Sequence, residues 1–279
     1  MRIVFGIALA LLASPAAAET LVERGAYLVN SVMVCHNCHT PRGPQGLDLS
    51  RALAGGSQVF DEPAFKVTGS NITPDKDTGI GKWSDAELKH FLVSGVRPNG
   101  TSAAPIMPTA FYTVLTARDL DALVAYLRSV PAVHHEVPAP EYRIALKLET
   151  PTYAGAQMTD AEMTDKLARG RYLLSIAHCL ECHTPEGPSA VHDFAKASGK
   201  GGRTFKGPWG ESRSPNITSH PQSGLGQWSD DEIKRAITQG AARDGHKMKP
   251  PMAYAGYATM SAQDLDALVA FVRTLPPLE

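Results

Sequence analysis

Apolar residues fall at helical spacing in only a few short stretches of this chain, separated by long segments rich in Gly and Pro. Leu21, Val22, Leu28 and Val29 repeat on one face and predict a helix from about Leu21 to Val32. A second helix is predicted to open at Ser84. There Ser84 and Glu87 have capping-box spacing, hydroxyl and carboxylate each meeting a backbone donor orphaned at the helix start. Ser229 and Glu232 repeat the device. A further helix starts at Thr116, with Asp119 at the third helical position and Leu115 placed to staple onto Leu120. Ser261, Asp264, Met260 and Leu265 hold the same places later in the chain, and Pro131 and Pro276 end the two helices. Strand-type alternation is nowhere sustained, so the expected fold is all-α.

The recurrence of these signals reflects a duplication. Arg24-Gly25-Ala26-Tyr27-Leu28 returns as Arg169-Gly170-Arg171-Tyr172-Leu173. Cys35-His36-Asn37-Cys38-His39-Thr40-Pro41 returns as Cys179-Leu180-Glu181-Cys182-His183-Thr184-Pro185. Asn71-Ile72-Thr73 is answered by Asn216-Ile217-Thr218, and Trp83-Ser84-Asp85 by Trp228-Ser229-Asp230. The offset is 145 residues throughout, except around the cysteines, where it is 144. Two copies in register mean a duplicated domain, since a solenoid needs at least about three repeats. The expected organisation is domain 1 over residues 19–132, a linker over 133–159 and domain 2 over 160–279. Pro138, Pro140 and Pro151 make that linker semi-rigid, and the apolar Ile144 and Leu146 are expected to pack part of it on a domain.

The N-terminus changes the chemical setting. Arg2 precedes an apolar run from Ile3 to Leu12, and Ala16-Ala17-Ala18 offers small residues for cleavage. Residues 1–18 are expected to be a secretory signal peptide cleaved near Ala18, its apolar run too short to span a bilayer. The mature chain is therefore expected in the periplasm, with no transmembrane segment. With 27 basic against 28 acidic residues, charge gives no case for nucleic acid or an anionic membrane. In an oxidising compartment the four cysteines should be paired, metal-bound or otherwise consumed.

Both cysteine pairs are C-x-x-C-H runs, the attachment signature of c-type haem. One helical turn sets two thiols beside the porphyrin vinyl groups and puts the adjoining His beneath the iron. Two covalent haem c groups are thus expected, on Cys35 and Cys38 and on Cys179 and Cys182, with His39 and His183 as proximal ligands. A large covalent cofactor would also explain how such loop-rich copies are stable. A zinc site would want four ligands in one closed cluster, and a redox dithiol needs neither the following His nor a duplicate.

Ala104-Pro105-Ile106-Met107-Pro108 aligns with Lys249-Pro250-Pro251-Met252-Ala253, so Met107 and Met252 are the expected distal ligands, soft thioethers that raise the potential. Met248 is out of register, and Met260 is accounted for as a helix staple. Trp83 and Trp228 are candidates to donate an indole N–H to a haem propionate, with core packing as the alternative. Asn71, Thr73, Asn216 and Thr218 either serve the same carboxylates or order their loops. The remaining histidines are read as surface residues.

Taken together, Gly69-Ser70-Asn71-Ile72-Thr73-Pro74-Asp75, Thr78-Gly79-Ile80-Gly81-Lys82-Trp83-Ser84-Asp85 and Met107-Pro108 resemble the cytochrome c subunits of bacterial alcohol, aldehyde and gluconate dehydrogenases. The second copy keeps the block as Pro215-Asn216-Ile217-Thr218, Gly224-Leu225-Gly226-Gln227-Trp228-Ser229-Asp230 and Met252. The best-known members carry three haems, where this chain has two attachment motifs. The resemblance implies two tandem class I cytochrome c domains that take electrons from a partner dehydrogenase. A respiratory acceptor, another cytochrome or a terminal oxidase, would receive them. With His and Met on each iron no substrate reaches the metal, and catalysis is expected in the partner. A dihaem enzyme of peroxidase or thiosulfate-oxidising type needs one exchangeable site, so its copies should diverge at the distal ligand. Here they agree.

Overall fold

The computed structural model describes residues 18–145, 151–187, 192–207 and 209–279. Most of the leader and Leu146 lie outside the described residues. Helix α1 (Leu21–Tyr27) runs directly into a wider turn at Leu28–Val32, so the predicted first helix is one rod with a change of winding. The cysteine-bearing turn α2 (His36–His39) follows, and then a hairpin of β1 (Arg42–Gly43) and β2 (Gly46–Leu47). A second hairpin pairs β3 (Val59–Glu62) with β4 (Phe65–Thr68). Helices α3 (Asp85–Ser94) and α4 (Ala117–Ser129) complete the first copy, and β5 (Glu141–Tyr142) then returns to pair with β4. The second copy runs α5 (Lys166–Ile176), α6 (Cys179–His183), α7 (Phe194–Ala197), a hairpin of β6 (Thr204–Gly207) and β7 (Gly210–Arg213), α8 (Asp230–Gln239), α9 (Tyr254–Tyr257) and α10 (Ala262–Val272).

The expectation of an all-α fold is corrected here: among the described residues there are three small antiparallel sheets. Their strands are two to four residues long. Such strands are too short to show a period of two, and backbone pairing across a tight turn sets their register. The equivalent placement of β3–β4 and β6–β7 makes the hairpin part of the repeated unit.

The helix starts follow the sequence signals. Ser84 and Ser229 both form complete capping boxes with Glu87 and Glu232. Thr116 and Ser261 cap α4 and α10 by accepting from the backbone N–H of Asp119 and Asp264. Those two carboxylates do not close a box; they leave for other partners described below. Each copy is locked by a close crossing of its first and last helices. A Cβ on Gly25 would stand 2.0 Å from the Ala122 carbonyl oxygen, and one on Gly170 would stand 2.1 Å from that of Ala267. Only glycine permits that approach.

The copies share one hydrophobic core. Leu28, Val29 and Val32 of the first and Leu173, Leu174 and Ile176 of the second belong to the same buried cluster. Arg24 makes a bidentate pair with Asp119, both contacts at 2.8 Å, and Tyr172 of the other copy donates to the same carboxylate at 2.5 Å. The reciprocal set is Arg169 with Asp264, to which Tyr27 donates at 2.5 Å. A pseudo-twofold interface thus exchanges one tyrosine each way. Burial and Asp264 push the Tyr27 hydroxyl up to about 12, and burial and Asp119 push Tyr172 well above the ordinary tyrosine value.

The segment expected as a linker begins by strapping the first copy. Asn71 donates to the Val133 carbonyl at 2.8 Å, and His135 donates to that of Ala54 at 2.7 Å. Ile144, expected to pack, is 63% exposed; the contact is made by Tyr142, whose hydroxyl donates to the Ser102 carbonyl at 2.8 Å. Farther on, Met158 is buried and bonds the Val114 carbonyl at 2.9 Å.

Candidate functional site

Each rod ends in an abrupt reversal just before its cysteines. Val34 (φ 46°) and His178 (φ 43°), equivalent residues, both take the left-handed conformation. For a β-branched residue this conformation is strained by about 1–3 kcal/mol, so the surrounding packing must impose it. The reversal swings α2 and α6 off the rod axis, and sequence pattern gave no sign of it, since neither position is Gly or Asn.

On each turn the histidine is oriented by one hydrogen bond. His39 donates Nδ1–H to the Ser70 carbonyl at 2.7 Å, and His183 donates Nδ1–H to the Pro215 carbonyl at 2.8 Å. With Nδ1 engaged, Nε2 carries the lone pair. Burial also shifts both imidazoles toward the neutral form, the form that ligates. The glycine-bearing loop lies hard against the first turn: a Cβ on Gly56 or Gly69 would be 2.0 Å from the Cys38 carbonyl oxygen. Thr40 and Thr184 are buried behind the turns and accept from the backbone N–H of Leu53 (2.9 Å) and Gly199 (3.3 Å).

All four cysteines are unpaired. Burial pushes the thiols of Cys35, Cys38 and Cys179 up to about 12, and burial with Glu181 pushes Cys182 higher still. Reactive dithiols sit where the pKa is lowered, so this setting opposes the redox-dithiol reading. Among the described residues no group of three or more His, Cys, Asp and Glu is arranged to hold a metal ion. A histidine with a free, neutral Nε2 beside two unpaired, protonated thiols one turn away is instead the donor set that haem c requires.

Met107 and Met252 occupy equivalent places, each half-buried against the core and each opening the turn that leads to Thr109 or Tyr254. Met248 takes the place of Ala103: both donate to the glycine ending the preceding helix, at 2.8 Å. Trp83 and Trp228 are half-buried, and their carbonyls accept from Arg128 and Arg273. The Trp83 ring meets Phe91 edge-on at 5.4 Å. Asn71 and Asn216 use their amides to order their own loops and to tie them to a segment 62 residues farther on. Asn71 accepts from Thr73 and donates to Thr78 at 2.9 Å, and Asn216 accepts from Thr218 and donates to the Leu278 carbonyl at 2.6 Å. Of the other histidines, His36 bonds Asn30 and Thr40, while His220 and His246 pair with Ser223 and Asp244.

Sequence reasoning passed over Glu181. This residue, inside the second C-x-x-C, is only 6% exposed. His178 donates to its carboxylate at 3.0 Å and Arg203 stands 3.6 Å away. Burial raises its carboxyl, but the His178 hydrogen bond and the charges around it prevail and hold it below the usual value. Its charge also acts on the Cys38 thiol of the other copy. Buried Tyr112 and Tyr257, equivalent residues, stand beside the same thiols. The signal available in the sequence was a carboxylate where the first copy has Asn37.

Residues 167–276 match the family model of cytochrome c. The match falls on the second copy, which is therefore similar to a cytochrome c domain. Across both copies the chain is similar to the fructose dehydrogenase cytochrome subunit of Gluconobacter japonicus, 31% identical over 273 residues, covering 91% of this chain and 52% of that protein. It is 30% identical over 284 residues to the cytochrome c subunit of the quinone alcohol dehydrogenase of Gluconacetobacter polyoxogenes, covering 96% and 59%. A diheme cytochrome c-type protein of Cereibacter sphaeroides is 27% identical over 256 residues, covering 88% of this chain and 83% of its own length. The chain spans about half the length of the dehydrogenase subunits it matches. Among the described residues, no helix is long and apolar enough to cross a membrane.

Proposed function

We propose that this chain is a periplasmic dihaem cytochrome that accepts electrons from a partner dehydrogenase and passes them to a respiratory acceptor. Each copy forms one domain with one haem: Cys35 and Cys38 with His39 and Met107 in the first, Cys179 and Cys182 with His183 and Met252 in the second. The observation that carries the reading is the duplicated orientation of His39 and His183 on Ser70 and Pro215, which leaves the same nitrogen available on both turns. When bound, haem c supplies a one-electron couple. The chain's residues do the rest. The thiols would anchor the group, the Ser70 and Pro215 carbonyls hold each imidazole in one tautomer, and Met107 and Met252 would supply thioether ligands. Trp83 and Trp228 offer their indole N–H groups to the propionates. The similarity to dehydrogenase cytochrome subunits supports a dehydrogenase as the donor, and the export signal supports the compartment.

The test is a haem count per chain together with carbon monoxide binding to the reduced protein at neutral pH. Two haems and no adduct are expected. An adduct at one haem means an exchangeable site and turns the reading toward a dihaem enzyme.

A further inference from the structure

The two attachment turns are alike in backbone and in histidine support, yet they differ in charge. In the first turn Asn37 is neutral, and Arg42 donates to its Oδ1 at 2.6 Å. Among the described residues Arg42 forms no ion pair, and it is exposed. In the second turn Glu181 takes the place of Asn37 and is buried. Arg203 is its cationic partner at 3.6 Å, but that guanidinium is shared with Glu186, which it meets more closely at 2.8 Å. His178 adds a donor at 3.0 Å. His192 also stands 3.7 Å from Glu186, so with both imidazoles neutral two carboxylates face one guanidinium. In that state the first turn is the more positive.

Burial decides which difference matters. A charge in a low-dielectric interior acts several times more strongly at a given distance than one in water, whereas exposed Arg42 is screened. A buried anion beside a haem favours the ferric state and lowers its potential, and charge and hydrogen bonding around the site are the protein's means of tuning it. We propose that Glu181 holds the second haem at a lower reduction potential than the first, which makes the internal electron path run from the second copy to the first. The inference rests on the two-haem reading above. The step is a bare one-electron exchange: ferrous iron in the second copy becomes ferric as ferric iron in the first becomes ferrous, with no bond made or broken.

The experiment is a potentiometric titration of the full holoprotein, read by visible absorbance. Two separated midpoints are expected. Glu181→Gln raises the lower midpoint more than the upper and narrows the gap, while Glu181→Asp keeps the gap. Asn37→Asp, which puts a carboxylate at the equivalent place in the first turn, lowers the upper midpoint and narrows the gap from the other side. Coincident midpoints in the unaltered protein, or a gap unchanged or widened in Glu181→Gln, overturn the inference. If Glu181→Gln does not fold, Asn37→Asp decides alone, and an upper midpoint that stays put overturns the inference. A protein holding fewer than two haems fails earlier, in the haem count, and overturns the underlying reading instead.

Discussion

The first and second copies set the same cysteines, histidine and methionine on matching elements, but they surround them differently. Behind the first turn the polar neighbours are His36, Asn30 and Thr40, joined by neutral hydrogen bonds. Behind the second lies an ionic cluster of Glu181, Glu186, Arg203 and His178. The first copy also carries the strap from Val133 to Tyr142, which adds β5 to its hairpin. In the second copy the corresponding Leu278 bonds Asn216 and Thr218 as Val133 bonds Asn71 and Thr73. Histidine orientation and the glycine crossing are shared, so they belong to the scaffold. The charge near the turn is not shared. Duplication kept the scaffold of the two turns and left the charge beside them free to differ.

The largest test of that equivalence is at the distal ligands. Met107→Ala should open only the first haem to carbon monoxide and Met252→Ala only the second, each seen as loss of methionine ligation at one haem in the visible spectrum. A variant that leaves both haems methionine-ligated shows that another residue is the ligand.

The helix crossing comes next. Gly25→Val and Gly170→Val each drive side-chain atoms into the last helix, and each should destabilise its copy by about 3 kcal/mol or more. Denaturant unfolding of the holoprotein measures this, and equal losses are expected because the approach distances match. A loss in one copy alone would break the equivalence at the scaffold itself.

The exchanged tyrosines should respond unequally. Tyr172 is 1% exposed and Tyr27 is half-buried, so Tyr172→Phe is expected to cost about 1.5–3 kcal/mol and Tyr27→Phe nearer about 1 kcal/mol. Both hydroxyls have raised folded-state pKa values, Tyr27 to about 12. The sign follows from linkage: stabilisation is complete below the ordinary tyrosine value near 10 and is lost as pH rises through about 12. Stability should therefore fall across that alkaline window, and Tyr27→Phe should flatten the fall. The smallest effect of the series is this change in slope.

Much of the candidate site was legible in the sequence because its signals are local. C-x-x-C-H within one turn, a capping box within four residues and a methionine beside prolines all declare themselves at short range, and duplication let each copy check the other. The hairpins were not legible, because four-residue strands carry no usable period and are stabilised by backbone pairing. Nor was the second use of Asp119 and Asp264. Their spacing marked helix starts, while their carboxylates were taken by Arg24 and Arg169 and by tyrosines from the opposite copy.

By itself the sequence determined the duplication, the two C-x-x-C-H turns and the helix starts, since each depends on residues adjacent or nearly so along the chain. Only the tertiary structure decided which carbonyl orients each imidazole, that the two copies share one core, and that Glu181 is buried. Those outcomes depend on residues far apart in the chain meeting in a low-dielectric interior, where packing fixes distance and burial fixes the strength of a charge.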